Sequence, residues 1–119
     1  MTHAIVLFAH GSRDPLWHKP MEAVAQRIRD READALVACA YLELSPPDLP
    51  TCVAGLVGQH ASTIRVLPMF LGVGKHARED LPLLIAQLRT DHPQVVFELM
   101  PAVGEDTRLI ETLAHIALS

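Results

Sequence analysis

The chain is poor in cysteine, has few aromatic residues and carries no excess of basic residues. Its 119 residues include two cysteines and no Cys-x-x-Cys pair that would indicate a zinc ribbon or a redox site. Cys39 lies in an apolar run and Cys52 on a helical stripe, so we expect both thiols to be buried and inert. A net charge of −4, with no basic stripe, argues against a general nucleic-acid-binding protein.

Long apolar segments are also absent. No run approaches the roughly 20 residues that cross a bilayer. The start, Met1–Ala4, has neither the basic segment nor the cleavage site of a signal peptide. We therefore expect a cytoplasmic protein without a membrane partner, and at 119 residues a single domain spanning 1–119.

Four apolar runs of strand length are present. They are Ala4–Ala9, Ala35–Leu42, Ile64–Phe70 and Val95–Met100. Because the runs are nearly continuous in apolar residues instead of alternating, they predict a parallel sheet that is covered on both faces.

Helical stripes follow each of these runs, with apolar residues three and four positions apart. The stripes are Trp17, Met21, Val24, Ala25 and Ile28; then Leu49, Cys52, Val53, Leu56 and Val57; then Leu81, Leu84, Ile85 and Leu88; and finally Leu109, Leu113, Ile116 and Ala117. Asp48-Leu49-Pro50 and Asp80-Leu81-Pro82 each place an N-cap acid before a first-turn proline, which predicts helix starts there.

The resulting order, βαβαβαβα, favours a three-layer α/β fold with an open parallel four-stranded sheet. We predict the flavodoxin-like strand order 2-1-3-4. Ligands of such sheets bind outside the carboxyl ends of the strands, where the strand order reverses. His10, Glu43 and His76 all follow predicted strands at that edge, the two histidines in glycine-bearing loops.

Two imidazoles and one carboxylate can hold a first-row divalent ion and leave coordination positions open. Without thiolates, such a set favours cobalt, ferrous iron, nickel or zinc and releases them readily. The imidazoles could equally act as bases, since histidine titrates near pH 6.5. Taken singly, each residue is as well explained by solvation, and only their convergence favours a site.

The glycines and cations beside these residues allow two interpretations. Gly11-Ser12 could cradle an anion or simply form a tight turn. The segment Gly72–Lys75 lacks the spacing of a nucleotide-binding phosphate loop, so no nucleotide is expected. Arg13, Lys75 and Arg78 are either solvated or placed to receive an anionic substrate. The remaining histidines, His3, His18, His60, His92 and His115, are interpreted as capping or solvated residues.

Three segments resemble a known family. They are Ala9-His10-Gly11-Ser12-Arg13, Tyr41-Leu42-Glu43-Leu44 with the prolines after it, and the run from Pro68 to Pro82 that contains Gly72-Val73-Gly74-Lys75-His76. Together they resemble the class II tetrapyrrole chelatases, in particular the short sirohydrochlorin chelatases of the CbiX/SirB group. The resemblance spans nearly the whole chain.

The resemblance implies an enzyme that inserts cobalt or ferrous iron, with nickel possible, into sirohydrochlorin without ATP or any nucleotide. It implies metal binding by His10, Glu43 and His76, with the two histidines catalytic. Long relatives contain two such domains in tandem, so this chelatase-like half-domain implies a homodimer. The residues expected to contact the tetrapyrrole are Ser12, Arg13, Leu44, Gly72, Val73, Gly74, Lys75 and Arg78. Apolar candidates for the cleft also include Leu71 and Val103.

Two other functions remain open at this point. A metal carrier or sensor could use the same ligands without a macrocycle cleft. A histidine phosphatase would show Arg-His-Gly, and here Ala9 stands in the position of that arginine. The sequence does not select between cobalt, for cobalamin synthesis, and iron, for sirohaem synthesis.

Overall fold

The computed structural model describes residues 2–119, and its centre is one parallel sheet of four strands. The strands are β1 Thr2–Ala9, β2 Leu36–Tyr41, β3 Ala61–Pro68 and β4 Val96–Leu99. The helices are α1 Lys19–Arg31, α2 Leu49–Gly58, α3 Lys75–Asp91 and α4 Thr107–Leu118, with short 3-10 helices at Pro15–His18 and Val103–Glu105. The strand order is β2-β1-β3-β4 with every pair parallel, which confirms the predicted topology.

Both faces of the sheet are packed, which explains the nearly continuous apolar strands. On one face, Val6 and Ile64 lie in a core with Val53 of α2 and Ile85 of α3. On the other face, Leu7 of β1 packs in a second cluster with residues of α1. Neighbouring residues of a central strand point to opposite faces, so both must be apolar when both faces are buried.

The two predicted helix starts have different outcomes. The start at Asp48 is confirmed, since its carboxylate accepts a hydrogen bond from the Thr51 amide at 2.9 Å. The start at Asp80 is wrong, because α3 begins at Lys75 and carries Pro82 inside it. An internal proline costs about 3 kcal/mol, and the burial of Leu81, Ile85 and Leu88 along the same helix offsets that cost. His76 therefore lies in the first turn of α3 and not in a loop.

The prediction that the α4 stripe packs against the core is also wrong for this chain. No residue of α4, Thr107–Leu118, is buried, and the helix packs mainly against the 3-10 turn before it. On β3 and β4, Arg65 and Glu98 form an exposed ion pair, Nε to Oε2 at 2.9 Å. Within residues 2–119, no helix is long and apolar enough to cross a membrane.

Candidate functional site

His10 and Glu43 lie side by side because the pairing of β1 with β2 continues past both strand ends. The Leu42 amide donates to the Ala9 carbonyl at 2.8 Å, and the Glu43 amide donates to the His10 carbonyl at 3.0 Å. These bonds extend the parallel register in which Ala9 faces Tyr41. The sheet ladder thus holds the backbones of two predicted site residues together.

The His10 side chain turns toward the end of β3. Its ring lies 4.4 Å from the ring of Phe70 between centroids, with the planes tilted by 43°. Phe70 is buried, and the chain before it is joined to β1 by a 2.7 Å bond from the Met69 amide to the Phe8 carbonyl. A buried aromatic ring therefore supports the imidazole, while the imidazole itself stays exposed.

Gly11 makes the close approach of the two segments possible. Its φ of +100° is a conformation that L side chains rarely adopt, and an added Cβ would lie 1.8 Å from the Glu43 carbonyl oxygen. Of the two interpretations of Gly11-Ser12, the tight turn is the one this geometry supports. The next helical segment is a single short 3-10 helix that begins at Pro15.

The segment after Glu43 turns sharply and is tied back to the His10 loop. Leu44 has a φ of +65°, and the Ser45 amide donates to the Glu43 carbonyl at 2.8 Å, which closes a γ-turn. Ser45 Oγ donates to the Ser12 carbonyl at 2.6 Å and accepts from the Ser12 amide at 3.0 Å. The turn leaves the Leu44 side chain 53% exposed at the edge of the sheet.

The β3–α3 segment is fixed at two points. An added Cβ on Gly104 would lie 1.7 Å from the Leu71 carbonyl oxygen, so the turn after β4 presses directly on this segment. Val73 packs partly against the core, and Gly74 is the N-cap of α3. Gly72 is exposed, as are Lys75, His76 and Arg78 in and just after the first turn of α3.

The predicted ligands do not form a complete set in the single chain. Among residues 2–119, no group of three or more His, Cys, Asp or Glu side chains is arranged to hold a metal ion. The structure brings His10 next to Glu43 through the backbone, and carries His76 at the start of the helix that follows β3. Metal binding by His10, Glu43 and His76 stays a prediction.

A surface depression of about 590 Å³ opens beside the His10 and Glu43 loops. Three residues predicted to contact the tetrapyrrole, Ser12, Arg13 and Leu44, line it. Its remaining lining includes His18, Glu22, Cys39, Tyr41 and Ser45. A guanidinium, an imidazole and a carboxylate therefore line one depression, next to an exposed leucine.

The two thiols differ in burial, although the sequence predicts that both are buried. Cys52 is buried, but Cys39 is only half-buried at this depression. Burial, followed by the nearby Glu22 carboxylate, raises the pKa of Cys39 to about 11, and burial raises the pKa of Cys52 to about 11. Both side chains are neutral thiols at pH 7, so neither is activated as a nucleophile or as a soft metal ligand.

The sequence does not indicate three residues that contact the site. Its pattern predicts that Phe70 is the last residue of a strand and that Ser45 is part of a loop. His18 is not simply a capping or solvated residue, because its Nε2 lies 3.1 Å from the Ser12 carbonyl oxygen. These contacts join segments up to 60 residues apart, and no local pattern in the sequence indicates them.

Taken together, these observations define an open α/β protein with the strand order β2-β1-β3-β4, a class of fold whose ligands bind where the strand order reverses. At that edge, His10 and Glu43 lie on loops joined by backbone hydrogen bonds, and Leu44 beside them is exposed. Comparison with known proteins assigns the family. The family model described as CbiX matches residues 4–117, and the chain belongs to the CbiX family.

Curated relatives of this chain are named as sirohydrochlorin chelatases. The sirohydrochlorin cobaltochelatase of Methanocaldococcus jannaschii is 33% identical over 75% of this chain and 62% of its own length. The sirohydrochlorin ferrochelatase of Bacillus subtilis is 26% identical over 97% of this chain, but over only 44% of its own length. The chain thus spans between about half and two thirds of the length of these relatives.

Solved structures confirm the fold. A putative cobalamin-biosynthesis CbiX protein from Marinobacter aquaeolei superposes with a TM-score of 0.82 at 34% identity, over 97% of this chain and 93% of that one. The sirohydrochlorin chelatase SirB from Bacillus subtilis subspecies spizizenii, in complex with cobalt, gives a TM-score of 0.80 at 26% identity. That match covers 97% of this chain and 49% of SirB.

Proposed function

We propose that this protein inserts a divalent metal ion, cobalt or ferrous iron, into sirohydrochlorin without ATP or another nucleotide. The observation that carries the proposal is the pairing of the His10 and Glu43 segments, with the His10 ring supported by Phe70. Membership of the CbiX family and the chelatase names of its relatives supply the substrate class. In this reaction the metal is a substrate and not a resident cofactor.

The surface around His10 suits a flat macrocycle edged with carboxylates. Leu44 is 53% exposed and Leu71 is 68% exposed. Covering these apolar side chains with an apolar ring would be favourable, because it removes them from water. Arg13 and Lys75 are exposed cations on the same edge, where they could pair with substrate carboxylates. The apolar surface favours a chelatase over a metal carrier, which needs only the ligands. Gly72, Val73, Gly74 and Arg78 complete the proposed contact surface.

The reaction must release two protons for each metal ion that enters the ring. Two pyrrole N–H bonds break, two metal–nitrogen bonds replace them, and the two protons that leave carry away the two positive charges that the ion brings. We assign presentation of the ion to His10 and His76, one of which accepts a pyrrole proton. Glu43 completes the coordination of the ion or relays the proton to solvent.

The cleft requires a second lobe, which we propose is a second copy of this chain. Residues 1–119 would then act as one chelatase domain, and the homodimer would reproduce the length of SirB, about half of which matches this chain. A cytoplasmic location stays a prediction.

An absorbance assay tests the proposal with purified protein, sirohydrochlorin and either cobalt or ferrous ions under anaerobic conditions. The double substitution His10→Ala/His76→Ala should lower the insertion rate by about 100-fold or more, the usual range for removing an acid–base group. His92→Ala/His115→Ala, at the end of α3 and on α4, removes two histidines away from the site and should leave the rate unchanged.

Two outcomes would overturn the proposal. The first is wild-type protein that does not accelerate insertion of either ion over the uncatalysed rate. The second is full activity in the His10→Ala/His76→Ala variant. Binding of cobalt without binding of sirohydrochlorin would instead favour the metal carrier or sensor.

A further inference from the structure

His18 ends the 3-10 helix Pro15–His18, and its ring is held between two other aromatic rings. The Trp17 ring stands edge-on to it at 5.3 Å between centroids, with the planes at 88°, and the Tyr41 ring stands at 4.9 Å, with the planes at 86°. Edge-to-face contact is a favoured arrangement of aromatic rings. Tyr41 is 4% exposed and pairs with Ala9 in the sheet, so these contacts hold the imidazole against a rigid part of the fold.

The imidazole directs one nitrogen at the loop that follows β1. His18 Nε2 lies 3.1 Å from the Ser12 carbonyl oxygen. Because a carbonyl oxygen can only accept, Nε2 carries a proton and donates it to this hydrogen bond. The same oxygen accepts a hydrogen bond from Ser45 Oγ at 2.6 Å, and His18 Nε2 lies 3.3 Å from that Oγ. Ser12, His18 and Ser45 thus form one cluster, which we call the Ser12 clasp.

The Ser12 clasp lies just beyond two of the proposed metal ligands. Ser12 is two residues after His10, and Ser45 is two residues after Glu43. On the strand side, the two segments are joined by backbone hydrogen bonds of 2.8 Å and 3.0 Å. His10 and Glu43 therefore lie on backbone that is fixed both before and after them. Groups that fix ligands in this way raise the affinity of a metal site without contacting the ion.

Packing alone does not require a histidine at position 18. An apolar side chain would fill the space between Trp17 and Tyr41, but it would leave the Ser12 carbonyl with one donor instead of two. The clasp is only partly buried, so water can replace the lost hydrogen bond and the chain still folds. The donated bond therefore affects where the loop lies more than whether the fold forms.

We propose that His18 is a positioning residue, which holds His10 and Glu43 in the relative positions that the metal site requires. It acts through the hydrogen bond that it donates to the Ser12 carbonyl and needs no contact with the ion or the tetrapyrrole. The inference rests on the proposed function, because it assigns a further residue to the same site. The role belongs to the Nε2 proton and not to a change of charge on the ring.

Two substitutions separate the hydrogen bond from the packing. His18→Leu keeps an apolar side chain between the rings and removes the donor, whereas His18→Gln keeps an N–H donor. His92→Leu is the matched control, since it replaces another partly buried histidine beside an aromatic ring. The His92 and Phe97 centroids are 6.4 Å apart, and His92 follows the end of α3 at the opposite edge of the sheet.

Amide hydrogen exchange followed by NMR measures the positioning without metal. The Leu42 and Glu43 amides make the two backbone bonds that join the loops. In His18→Leu they should exchange about 2- to 10-fold faster than in wild type, the range for the loss of one hydrogen bond. They should keep the wild-type rates in His18→Gln and His92→Leu. Ser45→Ala removes the other donor of the clasp and should raise the rates as His18→Leu does, and urea unfolding verifies that each sample is folded.

Cobalt affinity measures the consequence for the site. The visible absorbance of bound Co²⁺ is titrated in the absence of tetrapyrrole. His18→Leu should bind cobalt about 10- to 100-fold more weakly than wild type, the usual effect of removing a group that supports a metal ligand. His18→Gln and His92→Leu should bind it as wild type does. Rescue by glutamine identifies the donated hydrogen bond as the cause, because a defect of packing would not respond to a donor.

Three results would overturn the positioning role. They are wild-type exchange rates and cobalt affinity in His18→Leu, an equal defect in His18→Gln, or the same defect in His92→Leu. Any of these in a protein that still inserts cobalt into sirohydrochlorin contradicts this inference alone. The expected exchange rates in a protein that neither binds cobalt nor inserts it contradict the proposed function alone, because His18 then positions the loops for another ligand.

Discussion

Replacing Gly11 with alanine should separate the two loops that carry His10 and Glu43. The added Cβ would lie 1.8 Å from the Glu43 carbonyl oxygen, whereas a carbon and a carbonyl oxygen need about 3.3 Å. The segments must therefore move apart by roughly 1.5 Å. A shift of that size removes the 2.8 Å and 3.0 Å bonds that join Leu42 to Ala9 and Glu43 to His10.

The expected cost follows from these contacts. Each lost hydrogen bond costs about 0.5–1.5 kcal/mol, and the left-handed backbone at Gly11 costs an L residue about 1–2 kcal/mol. The sum of about 2–5 kcal/mol is a large part of the roughly 6–18 kcal/mol expected for a domain of this size. We expect the midpoint of thermal unfolding to fall by about 10–20 °C.

Urea and thermal unfolding followed by circular dichroism measure this effect. Gly55→Ala is the matched control, since its added Cβ meets no atom within 4 Å and it lies inside α2. That control should gain about 0.5–1 kcal/mol because alanine favours the helix. At a temperature where Gly11→Ala is folded, metal insertion should fall about 100-fold, as expected for a catalytic group displaced by 1 Å or more. A Gly11→Ala variant as stable and as active as wild type would refute the reasoning.

Two further predictions concern the depression beside these loops. Ser45→Ala removes both hydrogen bonds to Ser12 and should lower the free energy of unfolding, measured in urea, by about 1–2 kcal/mol. Ser62→Ala is the control: it loses one hydrogen bond and should lower the free energy of unfolding by about half as much. Equal losses in the two variants would contradict the role of Ser45. The Cys39 thiol, whose pKa burial and Glu22 raise from 9.0 to about 11, should stay protonated in the folded chain as pH rises past 9. Its contribution to folding is then complete below pH 9 and is lost as pH rises towards 11; thiolate absorbance at 240 nm, compared with Cys39→Ser, should show this, and full ionisation by pH 9 would contradict it.

Much of the fold was predictable because the sequence pattern is repeated in each unit. The four apolar runs predict the four strands, right-handed crossovers favour an open parallel sheet, and the order 2-1-3-4, predicted by analogy with flavodoxin-like folds, is confirmed. The start of α3 was not predictable in this way. A proline in the first turn and a proline tolerated deeper in a helix give similar local signals, and burial of Leu81, Ile85 and Leu88 decides between them.

The candidate site was also only partly predictable from the sequence. The sequence by itself determined which chemical groups follow the strand ends: His10, Glu43 and His76. Side chains that act through contact across the fold were not visible to it, because Phe70 and Ser45 are ordinary core and loop residues until they meet His10 and Ser12.

The sequence therefore determined the class of fold and the edge of the sheet at which to look. Periodicity and connection order are local properties of the chain, and they are sufficient for those conclusions. Only the tertiary structure decided how the His10 and Glu43 loops are joined, that Gly11 must be a glycine, and that α4 is left without a core. Each of these depends on distances between segments far apart in the chain, which no residue pattern contains.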